Sequence, residues 1–224
     1  MNYETLKAQH RQERGQYPEA VAVRVHRALS WLDRAERCED QDSRFIFLWI
    51  AFNASYAKEI VEGERNNESE IFSEFARTLV KLDKDRSLYQ LIWSEFKGPI
   101  RILLENRYVY EPFWEYHRGK RTEADWKAKF RKEKDRAIRA VANQHTGVVL
   151  STVLRRMYTL RNQLIHGGAT WDSTVNRSQI RDCVAFLKKL VPLVIKLMMD
   201  NPDTEWGEIC YPVIDEQSGS QANH

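Results

Sequence analysis

Apolar residues return every three or four positions along most of this chain, and that period constrains the fold more than any other feature. Between Pro18 and Arg37, for example, Val21, Val25, Ala28, Leu32 and Ala35 fall on one side of a helix. The proline suits a first turn, where its missing N–H would have no partner in any case. The opposite face is basic and reads as solvated. Alternating β-branched runs are few, and nine glycines and six prolines in 224 residues argue against a sheet protein. The expected fold is all-α: an elongated up-and-down helical bundle, with residues 64–145 as a helical elaboration inserted between an N-terminal and a C-terminal helix pair. Residues 1–214 read as one domain and 215–224 as a disordered tail.

The periodic segments set the expected elements. A second helix from Asp42 to Gly63 is apolar on all sides through Phe52, as a helix in the middle of a bundle would be. Two shorter patterns follow, ESEIFSEFARTLVKL and RSLYQLIWSEF, separated by DKD and closed by Gly98-Pro99. The aromatic stretch RYVYEPFWEY precedes a basic helix from Thr122 to about Gln144, with Trp126, Phe130, Ala137 and Val141 on its apolar side. Thr122 and Asp125 give that helix a capping-box-like start. Another helix spans Thr146 to His166, and the last runs from Ser178 to Asp200, where Pro192 is expected to introduce a kink.

Composition narrows the chemistry. Cys38, Cys183 and Cys210 are odd in number and far apart, so neither a disulfide framework nor a zinc knuckle is indicated, and a reducing compartment is favoured. No basic-then-apolar leader opens the sequence, and FIFLWIAF is too short for the roughly 20 apolar residues of a membrane span. A cytoplasmic protein that does not enter the membrane is expected. The histidines lack metal-ligand spacing with carboxylates or thiols, so no metal and no cofactor is expected. Net charge is only +3, but Arg118–Arg139 holds ten Lys or Arg against four Asp or Glu. Lys127, Lys129, Arg131, Lys132, Lys134 and Arg136 therefore form either a solvated face or a surface for RNA phosphates.

One helix raises a specific problem. With Met157 as reference and about 100° per residue, Leu150, Val153, Leu154, Leu160 and Leu164 lie within about 60° of it, and Arg161 lies about 40° away. A guanidinium on a core-facing stripe needs an anion or a water-lined cleft, because desolvating an unpaired charge costs several kcal/mol. Asn162 and His166, spaced i, i+4, share another side. Gly167 and Gly168 end the helix there, and an unwinding last turn would bring Arg161 and His166 together.

The segment RNQLIH, Arg161 to His166, resembles the signature of the HEPN superfamily: arginine, a polar residue, three variable residues, histidine. The segment WIAFNASYA in the second helix resembles the corresponding helix of HEPN proteins, whereas the middle of the chain lies outside the resemblance. The resemblance implies an all-α, metal-independent endoribonuclease of the toxin or antiviral kind, acting as a homodimer whose two motifs face each other across a shared cleft. RNA would be the substrate, and an antitoxin or other regulatory partner is implied. His166 would transfer protons, Arg161 would stabilise phosphorane charge, and Asn162 would hold the imidazole or contact phosphate. Asn53 and Tyr56 would stand behind that site, although an asparagine inside an apolar helix, as Asn53 is, more often makes an interhelical hydrogen bond than serves a site. The alternative is a non-catalytic RNA-binding or protein-interaction adaptor of the same superfamily.

Overall fold

The computed structural model describes residues 1–56, 68–174, 176–207 and 209–211. Among these the chain is all-helical, without a strand, and its helices pack as a bundle. The helices are α1 (Tyr3–Glu13), α2 (Glu19–Glu36), α3 (Gln41–Tyr56), α4 (Glu68–Leu82), α5 (Ser87–Gln90), α6 (Lys97–Glu105), α7 (Glu111–His117), α8 (Glu123–Ala142), α9 (Thr146–Ile165) and α10 (Arg177–Asp200). The continuation of the second helix past Tyr56 and the tail from 215 to 224 lie outside the described residues.

Local chemistry explains several of these boundaries. Pro18 is the residue before α2, and its carbonyl accepts from the N–H groups of Val21 and Ala22. The Thr122 hydroxyl accepts from the Asp125 N–H at 3.2 Å, capping α8 as expected. α10 passes through Pro192 as a single helix. Gly98-Pro99 does not close a helix: both residues lie in the first turn of α6, where proline's missing N–H has no helical partner to lose. The aromatic stretch forms a 3₁₀ turn (Arg107–Val109) and then α7, with Pro112 in its first turn.

α2, α3 and α10 pack against one another, and α1 covers α2 and α10. The motif helix α9 lies chiefly along α4, with α6 and α8 over other parts of its surface and α3 linking the two groups. Much of the 64–145 region is thus built into the main core, through Phe72, Leu79, Ile92, Leu104 and Ala137 among others. Among the described residues Tyr110, Phe113 and Trp126 form a separate cluster, where α7 meets α8. On the core side of α9, Val149, Leu150, Val153, Leu154, Met157 and Leu160 are fully buried. Each contributes about 1.5–3 kcal/mol by leaving water. The basic face of α2 is not wholly solvated: Arg24 is buried and donates to the carbonyls of Ser55 and Gly207, tying α2 to α3 and to the segment after α10.

Candidate functional site

α9 ends in a Schellman motif. The Gly167 N–H donates to the Leu164 carbonyl at 3.2 Å and the Gly168 N–H to the Gln163 carbonyl at 2.7 Å. Gly167 sits at φ +68°, where a side chain is strained, and a Cβ on Gly168 would stand 3.1 Å from the Gln163 oxygen. The two glycines therefore serve different needs, one conformational and one steric. The last turn does not unwind: His166 caps a helix that stays regular through Ile165, its own N–H still donating to the Asn162 carbonyl at 3.0 Å.

This geometry separates Arg161 from His166 and joins them only through Asn162. His166 is exposed and lines a recess of about 340 Å³ together with Asn162, Thr159, Gln163, Trp114 and the ion pair of Arg118 with Glu111. Arg161 is not on that wall. Its guanidinium is half-buried, donates to Asn162 Oδ1 at 2.9 Å and lies 5.9 Å from the Tyr158 ring centre. The buried Nε has no hydrogen-bond partner among the described residues. Among the described residues Arg161 has no acidic partner, and the expected direct contact with His166 does not form within one chain.

The floor of the site is held by the loop after α9. Gln163 donates to the Tyr108 carbonyl and accepts from Asn176 at 3.2 Å, and Arg177 pairs with Asp42 at 3.1 Å, binding the loop to the start of α3. Two large apolar side chains near this end of α9 are exposed: Ile165, next to His166 in the chain, and Trp171 in the following loop, by 73%.

The remaining expected site residues are scattered. Asn53 lines a different recess, with Arg24, Arg27, Trp31, Cys210 and Tyr211, and its buried Oδ1 has no partner among the described residues. Tyr56 packs on Phe72 at 5.2 Å, Phe72 on Tyr158 at 6.1 Å, and Tyr158 lies 5.9 Å from the Arg161 guanidinium. On α8, Lys127 pairs with Glu123 at 2.6 Å, Lys129 with Asp125 at 3.7 Å and Lys134 with Glu105 at 3.6 Å. Much of the helix's positive charge is thus answered locally. Arg131, Lys132 and Arg136 are all exposed, and Arg136 lines the rim of a cleft shared with residues of α4 and α9.

Sequence periodicity missed the most buried cation of this region. Arg156 is 3% exposed, with its guanidinium 4.4 Å from the Tyr110 ring and 5.5 Å from that of Phe130. Burial pulls its pKa down to about 10, partly offset by the Glu133 carboxylate. It lines a second cleft of about 360 Å³, between α9 and the α7–α8 elaboration, with Arg155, Arg121, Glu115 and Glu133. The signal available in the sequence was the aromatic density of Tyr108–Tyr116, which covers polar residues of α9 rather than standing free.

Among the described residues no group of three or more His, Cys, Asp or Glu comes together as a metal-ligating cluster, and no helix is long and apolar enough to cross a membrane. Comparison with known proteins gives no match: no family model fits the chain, and neither a curated protein nor a solved structure is similar to it.

Proposed function

We propose that the protein is a metal-independent endoribonuclease that works as a homodimer, with RNA as substrate. The observation that carries this reading is the connected group at the end of α9: an exposed imidazole on an open recess, an asparagine beside it, and behind them an arginine that lacks an anion. A scissile phosphate supplies that anion. In the composite site one protomer's imidazole, neutral, takes the proton of the ribose 2′-OH. The 2′-oxygen then attacks phosphorus, and the second protomer's imidazolium returns a proton to the departing 5′-oxygen. The products are a 2′,3′-cyclic phosphate and a 5′-hydroxyl, and the two Arg161 guanidiniums stabilise the charge of the phosphorane. Exposed Ile165, next to His166 in the chain, and exposed Trp171 in the following loop favour a partner chain near this end of α9. A role as a cytoplasmic toxin or phage-defence effector held by a regulatory partner accords with such an activity.

The test is cleavage of mixed single-stranded RNAs in EDTA, with the ends of the products identified. His166→Ala and Arg161→Ala are each expected to slow cleavage by about 10²-fold or more. Circular dichroism confirms that both variants fold, and light scattering measures the dimer. Full activity of a folded His166→Ala variant, a requirement for Mg²⁺, or a strict monomer at tens of micromolar overturns the proposal and leaves the adaptor reading.

A further inference from the structure

Where α4 and α9 run side by side, small residues face one another: Ser69 and Ser73 from α4, Gly147 and Ser151 from α9. Larger apolar side chains would have closed the interface. Instead it opens into a cleft of about 570 Å³, within the size range of small-ligand sites. Its walls carry three guanidiniums, Arg77 from α4, Arg136 from α8 and Arg155 from α9, and among the described residues no carboxylate lines it.

This charge is largely unanswered. Arg77, exposed on the rim, donates among the described residues only to the Ser73 carbonyl of its own helix, at 3.3 Å. Arg136 forms no hydrogen bond or ion pair among the described residues. Arg155 donates to Ser69 Oγ at 2.8 Å and to Thr152 Oγ1 at 3.4 Å, with Glu133 no nearer than 4.0 Å. On α8, Lys127, Lys129 and Lys134 each have an acidic partner, and of the cations without one it is Arg136 that stands on the cleft. α9, 20 residues long, begins in the same cleft without a side-chain cap and adds the positive end of its dipole. Through Arg155 and Thr152 the cleft adjoins the one lined by Arg156, whose buried Nε has no hydrogen-bond partner. Cations gathered in a recess repel one another and concentrate counter-ions there.

We propose that this cleft binds a ligand carrying two or more adjacent phosphates. Arginine forks match phosphate oxygens geometrically as well as in charge, and three of them call for more than one anionic group. The hydroxyls of Ser73 and Ser151 now donate to carbonyls of their own helices, at 2.7 and 3.1 Å, and are free to rotate toward a phosphate. No Phe, Tyr or Trp lines the cleft, so it recognises phosphate and not base. Adjacent phosphates are offered by a nucleoside polyphosphate and by the backbone of single-stranded nucleic acid. The inference does not rest on the ribonuclease reading, because tripolyphosphate has no 2′-OH to react.

Isothermal titration at low salt with sodium tripolyphosphate, ATP, CTP and a ten-nucleotide single-stranded RNA provides the test. Saturable binding is expected, weakened at least tenfold by the paired substitutions Arg77→Ala and Arg136→Ala and less than twofold by Lys127→Ala with Lys129→Ala. Equal affinity for ATP, CTP and tripolyphosphate assigns the cleft to free polyphosphates, whereas tight RNA binding with weak tripolyphosphate binding assigns it to a strand. Should the double variant lose helicity, Arg136→Gln carries the test, since that side chain anchors nothing; a severalfold loss is expected. Absence of saturable binding to every probe, or unchanged affinity in a folded variant, overturns the proposal. Tripolyphosphate separates the two readings: it has no 2′-OH, and the cleft, which His166 does not line, binds it equally in the His166→Ala variant.

Discussion

Replacing Arg156 with methionine is expected to stabilise the fold, although it removes one of the most buried side chains of α9. The guanidinium is 3% exposed, its Nε is unpartnered, and burial draws its pKa from 12.5 down to about 10. At about 1.4 kcal/mol per pKa unit, the folded state carries about 3 kcal/mol against the charged form. Stacking on Tyr110 at 4.4 Å and Phe130 at 5.5 Å returns about 1–2 kcal/mol of this. Methionine keeps an unbranched apolar stem against the same rings, places a thioether near them and leaves no buried charge. The net expectation is a gain of about 1 kcal/mol, or about 2–4 °C in Tm for a chain of this size. Urea unfolding followed by circular dichroism at pH 7 measures it. A loss greater than about 1 kcal/mol would show that the guanidinium is a net stabilising group, and the reading of Arg156 as a cation held at the expense of stability would fail.

Two further outcomes follow from local features. Gly167→Ala introduces a Cβ into open space but at φ +68°, so only the left-handed strain of about 1–2 kcal/mol is expected, with Gly167→Asn recovering most of it; equal urea midpoints for wild type and the alanine variant would refute the cap. Burial, and then Lys7, holds the His10 imidazole below its ordinary pKa, and burial acts first on His26 in the same direction. The unfolded chain therefore takes up protons first as pH falls, so their contribution to stability is present above about pH 6.5 and lost below it. Urea midpoints at pH 7.5 and 5.0 should converge in a His10→Phe, His26→Phe variant relative to wild type, and an unchanged gap would refute the assignment.

What could be read from the sequence is what neighbouring residues decide among themselves. Apolar periodicity marked α4 at its observed ends, because ESEIFSEFARTLVKL shows its apolar stripe without reference to any partner. Thr122 marked the start of α8, and the glycine pair marked the end of α9, since caps are satisfied within a few residues. The same locality placed Asn162 beside His166, four residues apart on one helix side. Tertiary packing decided the rest. A helical wheel gives each residue an angle but not the element that will cover it, and the arginine buried most deeply on α9 is Arg156, about 100° from Met157, because Tyr110 and Phe130 from the elaboration close over it. The resemblance groups Asn53 and Tyr56 with the motif, but Asn53 lines a separate recess with residues of α2, and Tyr56 is linked to Arg161 through the rings of Phe72 and Tyr158. The cationic cleft had no local signature at all: Arg77, Arg136 and Arg155 lie on three helices, and it takes the docking of α4 and α8 onto α9 to gather their charges into one recess.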